Sequence, residues 1–195
     1  MDLYEGNKEP LYKVCLVGDG EVGKSAILKR FLGAEERFQA EYKPTIGMGI
    51  TVKSITIDNS IINFQIWDIA GQPHFEFVRA SFYRGSSAII MVFDLTSPQT
   101  LYHLQTWINE VMTNINYVIP FLVVGNKADL QSAVDPDEIE DLIEKFKHKT
   151  PSKSLPILFT SALTGHNINE VFETLGRIIL KYYNVQNLPY LQVTL

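Results

Sequence analysis

The chain has 195 residues, of which 46% are hydrophobic, and its 17 basic and 22 acidic side chains give a net charge of −5. This length suits one domain with at most a short appendage, and the composition is that of a soluble globular protein. The acidic balance argues against a nucleic-acid groove and against a polybasic membrane-binding face. Cys15 is the single cysteine, which excludes a disulfide within the chain, and its apolar neighbours predict a small core residue.

The chain ends and the apolar runs show no pattern for secretion, lipid attachment or membrane insertion. Residues 1–6 lack a basic-then-apolar signal, and residue 2 is Asp2 where myristoylation needs glycine. Residues 191–195 contain no cysteine to prenylate, and the apolar run 88–93 is far too short to span a bilayer. We therefore expect a cytoplasmic protein without an intrinsic lipid anchor, for which partners are the only route to peripheral membrane recruitment.

The first predicted elements are a strand and a helix that flank a glycine-rich turn. Residues 12–17 are nearly all apolar, which is typical of a strand covered on both faces. Residues 18–25 match the P-loop pattern, and the helix that follows has an apolar face and ends at Gly33. The acidic residues of the turn, Asp19 and Glu21, are expected to point to solvent, because backbone N–H groups line the inner side of such a loop.

The residue types of the turn suit a phosphate group. Gly18, Gly20 and Gly23 allow backbone conformations and close approaches that a Cβ would forbid. Successive N–H groups then form an anion nest, backed by the positive end of the next helix. Lys24 adds a mobile charge for the outer phosphates, and the Ser25 hydroxyl can bind Mg²⁺. The alternative is a glycine-rich turn with a helix cap; the flanking strand and helix favour phosphate binding but do not name the nucleotide.

The next stretch predicts a loop and then a hairpin. Residues 34–47 show no clean period and contain Pro44, which indicates a long surface loop of the kind that is often functional. Residues 51–57 and 61–68 alternate apolar and polar side chains, and the turn residues 58–60 join them. This pattern predicts an antiparallel hairpin.

After the hairpin, buried strands alternate with helices. Apolar runs predict strands at residues 88–94, 121–126 and 157–160. Cap residues followed by proline or a carboxylate predict helix starts at Ser97, Asp135 and Asn167. The alternation predicts an α/β fold: a three-layer, doubly wound sheet of six strands, mostly parallel with one antiparallel edge strand, and about five helices.

Four polar clusters follow the carboxyl ends of separate predicted strands. They are the Gly18 loop, Asp68, Asn126 and residues 160–162. In doubly wound sheets, ligands bind beyond the carboxyl ends of the strands. The four clusters are therefore expected to converge on one rim.

Residues 126–129 read Asn-Lys-Ala-Asp, and their chemistry suits guanine. A carboxylate only accepts hydrogen bonds, so Asp129 can accept from the ring N–H and the exocyclic amine of guanine. Adenine offers no ring N–H there, and a buried carboxylate without a partner costs about 1–3 kcal/mol or more. A polar turn after a strand is the alternative, common for Asn and Asp. The position after the fourth parallel strand of a chain with a P-loop favours the base-binding interpretation.

Five motifs follow one another along the chain, at residues 18–25, 44–47, 67–72, 126–129 and 161–162. In this order they resemble the motifs of Ras-superfamily small GTPases. Trp67 and the segments 82–85 and 164–168 are most similar to the Rab branch. The resemblance predicts a G domain over residues 11–184, with an N-terminal extension over 1–10 and a C-terminal tail over 185–195.

The resemblance implies a role for each residue at the phosphate end of the site. Ser25 and Thr45 would bind Mg²⁺ directly, and Asp68 would hold the ion through water. The Gly71 N–H would contact the γ-phosphate, and Gln72 would orient the attacking water. When the γ-phosphate leaves, the loops around Thr45 and Gly71 lose a partner and relax.

The resemblance also implies the base contacts and the partners. Phe38 would pack against the edge of guanine, Lys127 would lie along its plane, and N–H groups near Ala162 would meet its oxygen. Effectors, exchange factors and GTPase-activating proteins would contact the loops around residues 38–47 and 69–83. The implied nucleotide-binding residues are Gly18, Gly20, Glu21, Val22, Gly23, Lys24, Ser25, Ala26, Phe38, Tyr42, Thr45, Gly71, Asn126, Lys127, Asp129, Ser161, Ala162 and Leu163.

The chain departs from the family pattern near Gln72. Pro73 stands where the family usually has glutamate; it removes an N–H and biases Gln72 toward extended conformations, so slow intrinsic hydrolysis is expected. Residues 41–47 contain no arginine, so the resemblance implies that an arginine finger would come from a partner, adding roughly 10³–10⁵ in rate.

The leading hypothesis is a guanine-nucleotide molecular switch that binds GTP and GDP with Mg²⁺ and hydrolyses GTP to GDP and phosphate. One alternative is an interaction scaffold that binds the nucleotide but barely turns over. The other is an ATP-dependent P-loop enzyme, which requires that Asp129 does not meet the base.

Overall fold

Strands and helices alternate throughout the structure, a computed structural model that describes residues 10–33, 47–72, 76–150 and 153–186. Within these residues the strands are β1 (Leu11–Val17), β2 (Met48–Ile57), β3 (Ser60–Ile69), β4 (Ala88–Asp94), β5 (Phe121–Asn126) and β6 (Ile157–Phe159). The helices are α1 (Lys24–Phe31), α2 (Glu76–Tyr83), α3 (Pro98–Asn114), α4 (Pro136–Lys147) and α5 (Ile168–Gln186). No helix within the described ranges has the length and apolar character needed to cross a bilayer.

The strands form one six-stranded sheet in the order β2-β3-β1-β4-β5-β6. Each neighbouring pair is parallel except β2 and β3, which are antiparallel. The carboxyl ends of β3, β1, β4, β5 and β6 therefore lie along the same rim. This confirms the predicted α/β fold with an antiparallel edge strand.

The β2–β3 hairpin is longer than predicted. Asp58 (φ 47°) and Asn59 (φ 64°) form its turn, while Ser60 already belongs to β3. At the other end, residues 48–50 continue the ladder against residues 67–69, so β2 begins three residues before the predicted start. The sequence pattern predicts only the part of β2 in which apolar and polar side chains alternate. Where β2 begins depends instead on its backbone hydrogen bonds to β3, which the pattern does not report.

Side chains alternate across β1 and build a core on each face of the sheet. Val14 and Leu16 pack in the layer that contains α1 and α5. Cys15 and Val17 pack in the layer that contains residues of α2, α3 and α4. Cys15 is fully buried, as predicted. The three predicted layers are therefore present.

Only some of the residues predicted to cap helices make a side-chain cap hydrogen bond. Asp135 caps α4, because its carboxylate accepts from the Asp137 N–H at 3.0 Å. Ser97 precedes α3 as predicted, but its side chain makes no cap hydrogen bond. The Thr100 hydroxyl lies at this turn instead: it donates to the Ser97 carbonyl (2.7 Å) and accepts from the Asp94 N–H (2.9 Å). Asn167 precedes α5, and its amide donates to the Phe159 carbonyl at 2.9 Å.

Candidate functional site

The loop after β1 needs glycine at two of the three positions singled out in the sequence. Gly18 (φ 138°) and Gly23 (φ 100°) are left-handed, and an added Cβ would lie 2.1 Å from the Val92 oxygen and 2.2 Å from Asn126 Nδ2, respectively. The fold does not require glycine at position 20, because a Cβ there meets nothing within 4 Å and its φ is not left-handed; that Gly20 admits a close ligand stays a prediction. Glu21 takes the left-handed conformation instead, at φ 68°.

The two acidic residues of this loop point in different directions. Glu21 is exposed, as predicted. The prediction that Asp19 faces solvent is wrong. Its carboxylate turns toward α3, where Trp107 Nε1 donates to Oδ1 at 2.8 Å and His103 Nδ1 lies 2.6 Å from Oδ2. Both contacts are made to an ionisable carboxylate, and the packing of α3 places His103 and Trp107 beside it.

Lys24 lies inside the loop and is 6% exposed. Its ammonium donates to the carbonyls of Gly18 (2.7 Å) and Asp19 (2.6 Å). Burial lowers the pKa of Lys24 to about 8, against the opposing influence of the Asp68 and Asp19 carboxylates. At neutral pH most protein molecules therefore carry a buried positive charge on Lys24, at the N-terminus of α1.

The end of β3 brings Asp68 and Gly71 against this loop. Asp68 is 6% exposed, and the Ser25 hydroxyl donates to its Oδ2. An added Cβ at Gly71 would lie 2.4 Å from the Gly18 oxygen and 2.5 Å from the Gly20 nitrogen. The backbone after β3 therefore packs directly on the backbone of the loop, which only glycine permits.

Gln72 follows this contact and is held through its backbone. Its carbonyl accepts from Arg79 Nη1 at 2.9 Å. Its side-chain Oε1 is buried and has no hydrogen-bond partner among the described residues. The carboxamide oxygen is thus an available acceptor beside the loop.

Asn126 joins three segments at the end of β5 and is 2% exposed. Its amide donates to the Val22 carbonyl at 2.9 Å. Its oxygen accepts from the Thr160 hydroxyl (3.1 Å) and from the Ala162 N–H (3.2 Å). Asn126 therefore connects the P-loop to the segment after β6, and the Ala162 N–H that was predicted to meet the base donates to Asn126 here.

Lys127 and Asp129 are each oriented by a neighbouring strand end. Lys127 Nζ forms an ion pair with Asp94 Oδ2 at 2.5 Å. The Ser161 hydroxyl donates to Asp129 Oδ1 at 2.5 Å. Asp129 itself is exposed, so its second oxygen can accept hydrogen bonds from a ligand.

The structure thus brings the predicted residues of the described segments to one rim of the sheet. Ala26 lies in α1 directly after Ser25, and Leu163, which is 66% exposed, follows Ala162. Phe38, Tyr42 and Thr45 lie outside the described residues, so their predicted contacts stay predictions.

Sequence reasoning missed supporting residues of this site. Asp94, which pairs with Lys127, stands at the carboxyl end of β4, the position that identified the other clusters. Thr160 lies in one of those clusters, but its bond to Asn126 was not predicted. Trp107 of α3 also supports the site, because its Nε1 donates to Asp19. A single helical stripe carries no signal for that contact, which depends on how α3 packs.

The Ras family model matches residues 13–181 of the chain. The chain belongs to the Ras family. It is 35% identical to Ras-related protein RABA4b of Arabidopsis thaliana over 185 aligned residues. The alignment covers 94% of this chain and 79% of RABA4b. The chain is 35% identical over 179 residues to GTP-binding protein YPT1 of Saccharomyces cerevisiae, with coverages of 91% and 83%. Ras-related protein SEC4 of the same yeast is 33% identical over 172 residues, with coverages of 88% and 76%.

These relatives confirm the resemblance inferred from the five motifs. The chain is a Rab-like small GTPase of the Ras family, with the sheet and the five helices of that fold. As a member of this family it is a GTP hydrolase.

Proposed function

We propose that this Ras-family chain is a Mg²⁺-dependent switch that binds GTP and GDP and changes its partner-binding surface when GTP is hydrolysed. The observation that carries the proposal is the bridge made by Asn126. It connects the P-loop, through Val22, to the segment after β6, through Thr160 and Ala162. A phosphate site and a base site are thereby held at a fixed separation on one rim.

The phosphate end combines backbone N–H groups with one buried cation. The loop wraps around Lys24, whose ammonium is held by two loop carbonyls. A polyphosphate in this loop meets the N–H groups, the start of α1 and the Lys24 charge together. Such preorganised donors stabilise the charge that develops on the phosphates during hydrolysis.

The base end favours guanine over adenine. The Ser161 hydroxyl donates to one oxygen of Asp129 and orients the carboxylate as an acceptor. Guanine presents a ring N–H and an amine to such an acceptor, whereas adenine leaves it without a ring donor. This arrangement favours the GTPase over the ATP-dependent alternative.

The oxygen atoms between the start of α1 and the end of β3 fit a magnesium ion. Ser25 and Asp68 supply adjacent oxygen atoms, and hard cations of this kind prefer oxygen ligands. Within the described residues no group of three or more His, Cys, Asp and Glu side chains could hold a metal, so phosphate and water oxygens would complete the shell. When bound, Mg²⁺ neutralises phosphate charge; Thr45 is proposed as a further ligand.

Gln72 is proposed to orient the hydrolytic water. Its Oε1 has no partner among the described residues and can accept a hydrogen bond from water. Attack by that water on the γ-phosphorus forms the new P–O bond while the bond to the β,γ-bridging oxygen breaks, and the protons of the water pass to the released phosphate and to solvent. Lys24 and the loop N–H groups stabilise the charge that accumulates on the leaving diphosphate.

The switching part of the proposal rests on Gly71. Its backbone packs on the P-loop, so a γ-phosphate at the loop lies beside the chain that leads into Gln72 and α2. Loss of that phosphate would release this segment and the loop around Thr45, which are the proposed contact sites for effectors, exchange factors and GTPase-activating proteins.

Nucleotide selectivity tests the base site. On nucleotide-free protein with Mg²⁺, calorimetry should show tight binding of GTP and GDP and no comparable binding of ATP. Asp129→Ala should weaken GDP binding by about 10–100-fold, because it removes hydrogen bonds to a charged acceptor. Asp141→Ala, an exposed acidic residue of α4 away from the rim, should leave the affinity unchanged. Equal affinity for ATP and GTP would exclude the proposed base site.

Phosphate release separates the switch from the nucleotide-locked scaffold. Protein loaded with GTP should release phosphate in a single turnover when Mg²⁺ is present, and far more slowly when the metal is chelated. If bound GTP stays intact for many hours in the presence of Mg²⁺, the proposed switch is wrong and the interaction scaffold that barely hydrolyses GTP is favoured.

A further inference from the structure

Arg79 is a buried charge in α2 that the proposed nucleotide contacts do not use. It is 4% exposed. Its Nε and Nη2 atoms donate to the two carboxylate oxygens of Glu110 in α3, both at 2.7 Å. The remaining terminal nitrogen, Nη1, donates to the Gln72 carbonyl at 2.9 Å. One guanidinium therefore links α3 to the residue proposed to orient the water.

The surroundings of Arg79 fix this orientation. Its guanidinium carbon lies 4.5 Å from the ring centre of Trp107. Glu110 also accepts from the Tyr83 hydroxyl at 2.6 Å, so both carboxylate oxygens are bound. Burial acts to lower the pKa of Arg79, but the Glu110 carboxylate outweighs it and the pKa is raised, so the residue stays charged. A forked, stacked guanidinium of this kind has little freedom to rotate.

The contact with Gln72 is made to its backbone and leaves its side chain available. Oε1 of Gln72 has no partner within the described part of the chain. The Arg79 bond to the carbonyl therefore fixes the backbone of this residue. A small displacement of a water-orienting group lowers a reaction rate strongly, because the attacking atom leaves its productive position.

We propose that Arg79 is a positioning residue for GTP hydrolysis: held by Glu110 and Trp107 of α3, it sets the backbone of Gln72 and thereby aims the Gln72 carboxamide at the hydrolytic water. The inference rests on the proposed role of Gln72. The α3 face that holds Arg79 also holds the P-loop, since Trp107 donates to Asp19. Gln72 and the phosphate loop are thus positioned from one helix.

The test removes Arg79 without leaving a buried carboxylate unpaired. Arg79→Met is made in a Glu110→Gln background, where the new amide oxygen still accepts from Tyr83. The readout is the single-turnover rate of GTP hydrolysis at saturating Mg²⁺, and the melting temperature with GDP bound checks folding. Relative to Glu110→Gln alone, Arg79→Met should lower the rate about fivefold to tenfold. The matched Arg177→Met, in an exposed ion pair of α5, should leave the rate unchanged.

The same change in a Gln72→Ala background identifies how Arg79 acts. If Arg79 acts through Gln72, Arg79→Met should change the hydrolysis rate of the Gln72→Ala variant by less than about twofold. The Gln72 side chain that Arg79 positions is already absent from that variant, so the two effects are not additive. An equal loss with and without Gln72, or no loss with Gln72 present, overturns the inference. If the double variant does not fold, Arg79→Lys replaces it; one ammonium cannot fork to Glu110 and reach the carbonyl, so a loss of the same sign is expected.

Failure of the proposed function has a different outcome. If Gln72→Ala alone leaves hydrolysis at the wild-type rate, then the proposed role of Gln72 is wrong and the inference falls with it. If Gln72→Ala slows hydrolysis and Arg79→Met does not, only the inference about Arg79 is overturned.

Discussion

At the scale of single residues, polar side chains around the nucleotide site are oriented by protein partners. The Asn126 side chain binds two segments, the P-loop and the residues after β6, and Asp129 receives a hydrogen bond from Ser161. Because these groups are held in place, binding a base requires little further ordering of side chains, which favours affinity. The same residues explain why the site depends on strands that are far apart in the chain.

Cys15 allows a residue-scale prediction about the core beneath the site. Burial raises the pKa of its thiol to about 11, while Ser86 and Lys13 act in the opposite direction. The thiolate is the reactive form, so the folded protein should resist alkylation by iodoacetamide at pH 8 and react fully in denaturant. As the chain has one cysteine, intact-mass measurement reports this residue alone. Stoichiometric labelling within minutes under native conditions would contradict the prediction.

The same pKa shift gives a pH dependence of stability. The folded state holds the Cys15 proton more tightly than the unfolded chain, whose thiol titrates near 9.0. The contribution of Cys15 to the free energy of unfolding is therefore complete below pH 9 and is lost as the pH rises from 9 to about 11. Denaturant titrations of wild type and Cys15→Ala should differ in pH dependence over this range.

At the scale of elements, α3 connects the P-loop to α2. His103, Trp107 and Glu110 share one face of this helix and contact Asp19 on one side and Arg79 on the other. A partner that displaces α2 or α3 would therefore act on the P-loop and on Gln72 together.

Trp107→Phe tests the contact between α3 and the P-loop. The ring that stacks on Arg79 is kept, but the N–H that donates to Asp19 is lost. Because His103 still contacts the carboxylate, we expect GDP dissociation to be faster by about threefold to tenfold. Release of a fluorescent GDP analogue measures this rate. Trp67→Phe, which removes a bond to Gln65 instead, is the matched control, and equal rates for the two variants would disprove the coupling.

At the scale of the whole molecule, the parallel strand order places every described site residue at one rim. α5 packs across a face of the sheet, where Phe172 stacks on Phe31 with ring centres 3.6 Å apart. Ile179 and Tyr183 continue this contact toward the end of the described helix. Among the described residues, the core on this face therefore extends along α5 as far as Tyr183.

Truncation tests this division of the molecule. Deleting residues 187–195 should leave GDP affinity within about twofold of wild type, because the buried side chains of α5 are retained. Deleting residues 179–195 removes Ile179 and Tyr183 from the core and should abolish cooperative thermal unfolding. A large loss of GDP affinity in the shorter deletion would show that the tail belongs to the G domain.

Much of the fold follows from the sequence because its signals are local. The buried strands, the amphipathic helices, the hairpin turn at Asp58 and the Asp135 cap each depend on neighbours a few positions away. The site is predictable for the same reason, since motifs at strand ends must meet on one rim of a parallel sheet. α2 was not delimited in the sequence, although its residues 82–83 belong to a recognised motif.

Contacts between segments that are distant in the chain could not be read from local patterns. Asp19 turns away from solvent because Trp107, 88 positions later, presents an N–H beside it. Arg79 and Glu110 are separated by 31 positions and form a buried pair that no local pattern indicates. Local sequence patterns are enough to predict which segments become strands, helices and phosphate loops, because short-range periodicity and backbone chemistry govern those elements. How the side chains of these elements pair depends on packing across the sheet, which brings together residues that are remote along the chain.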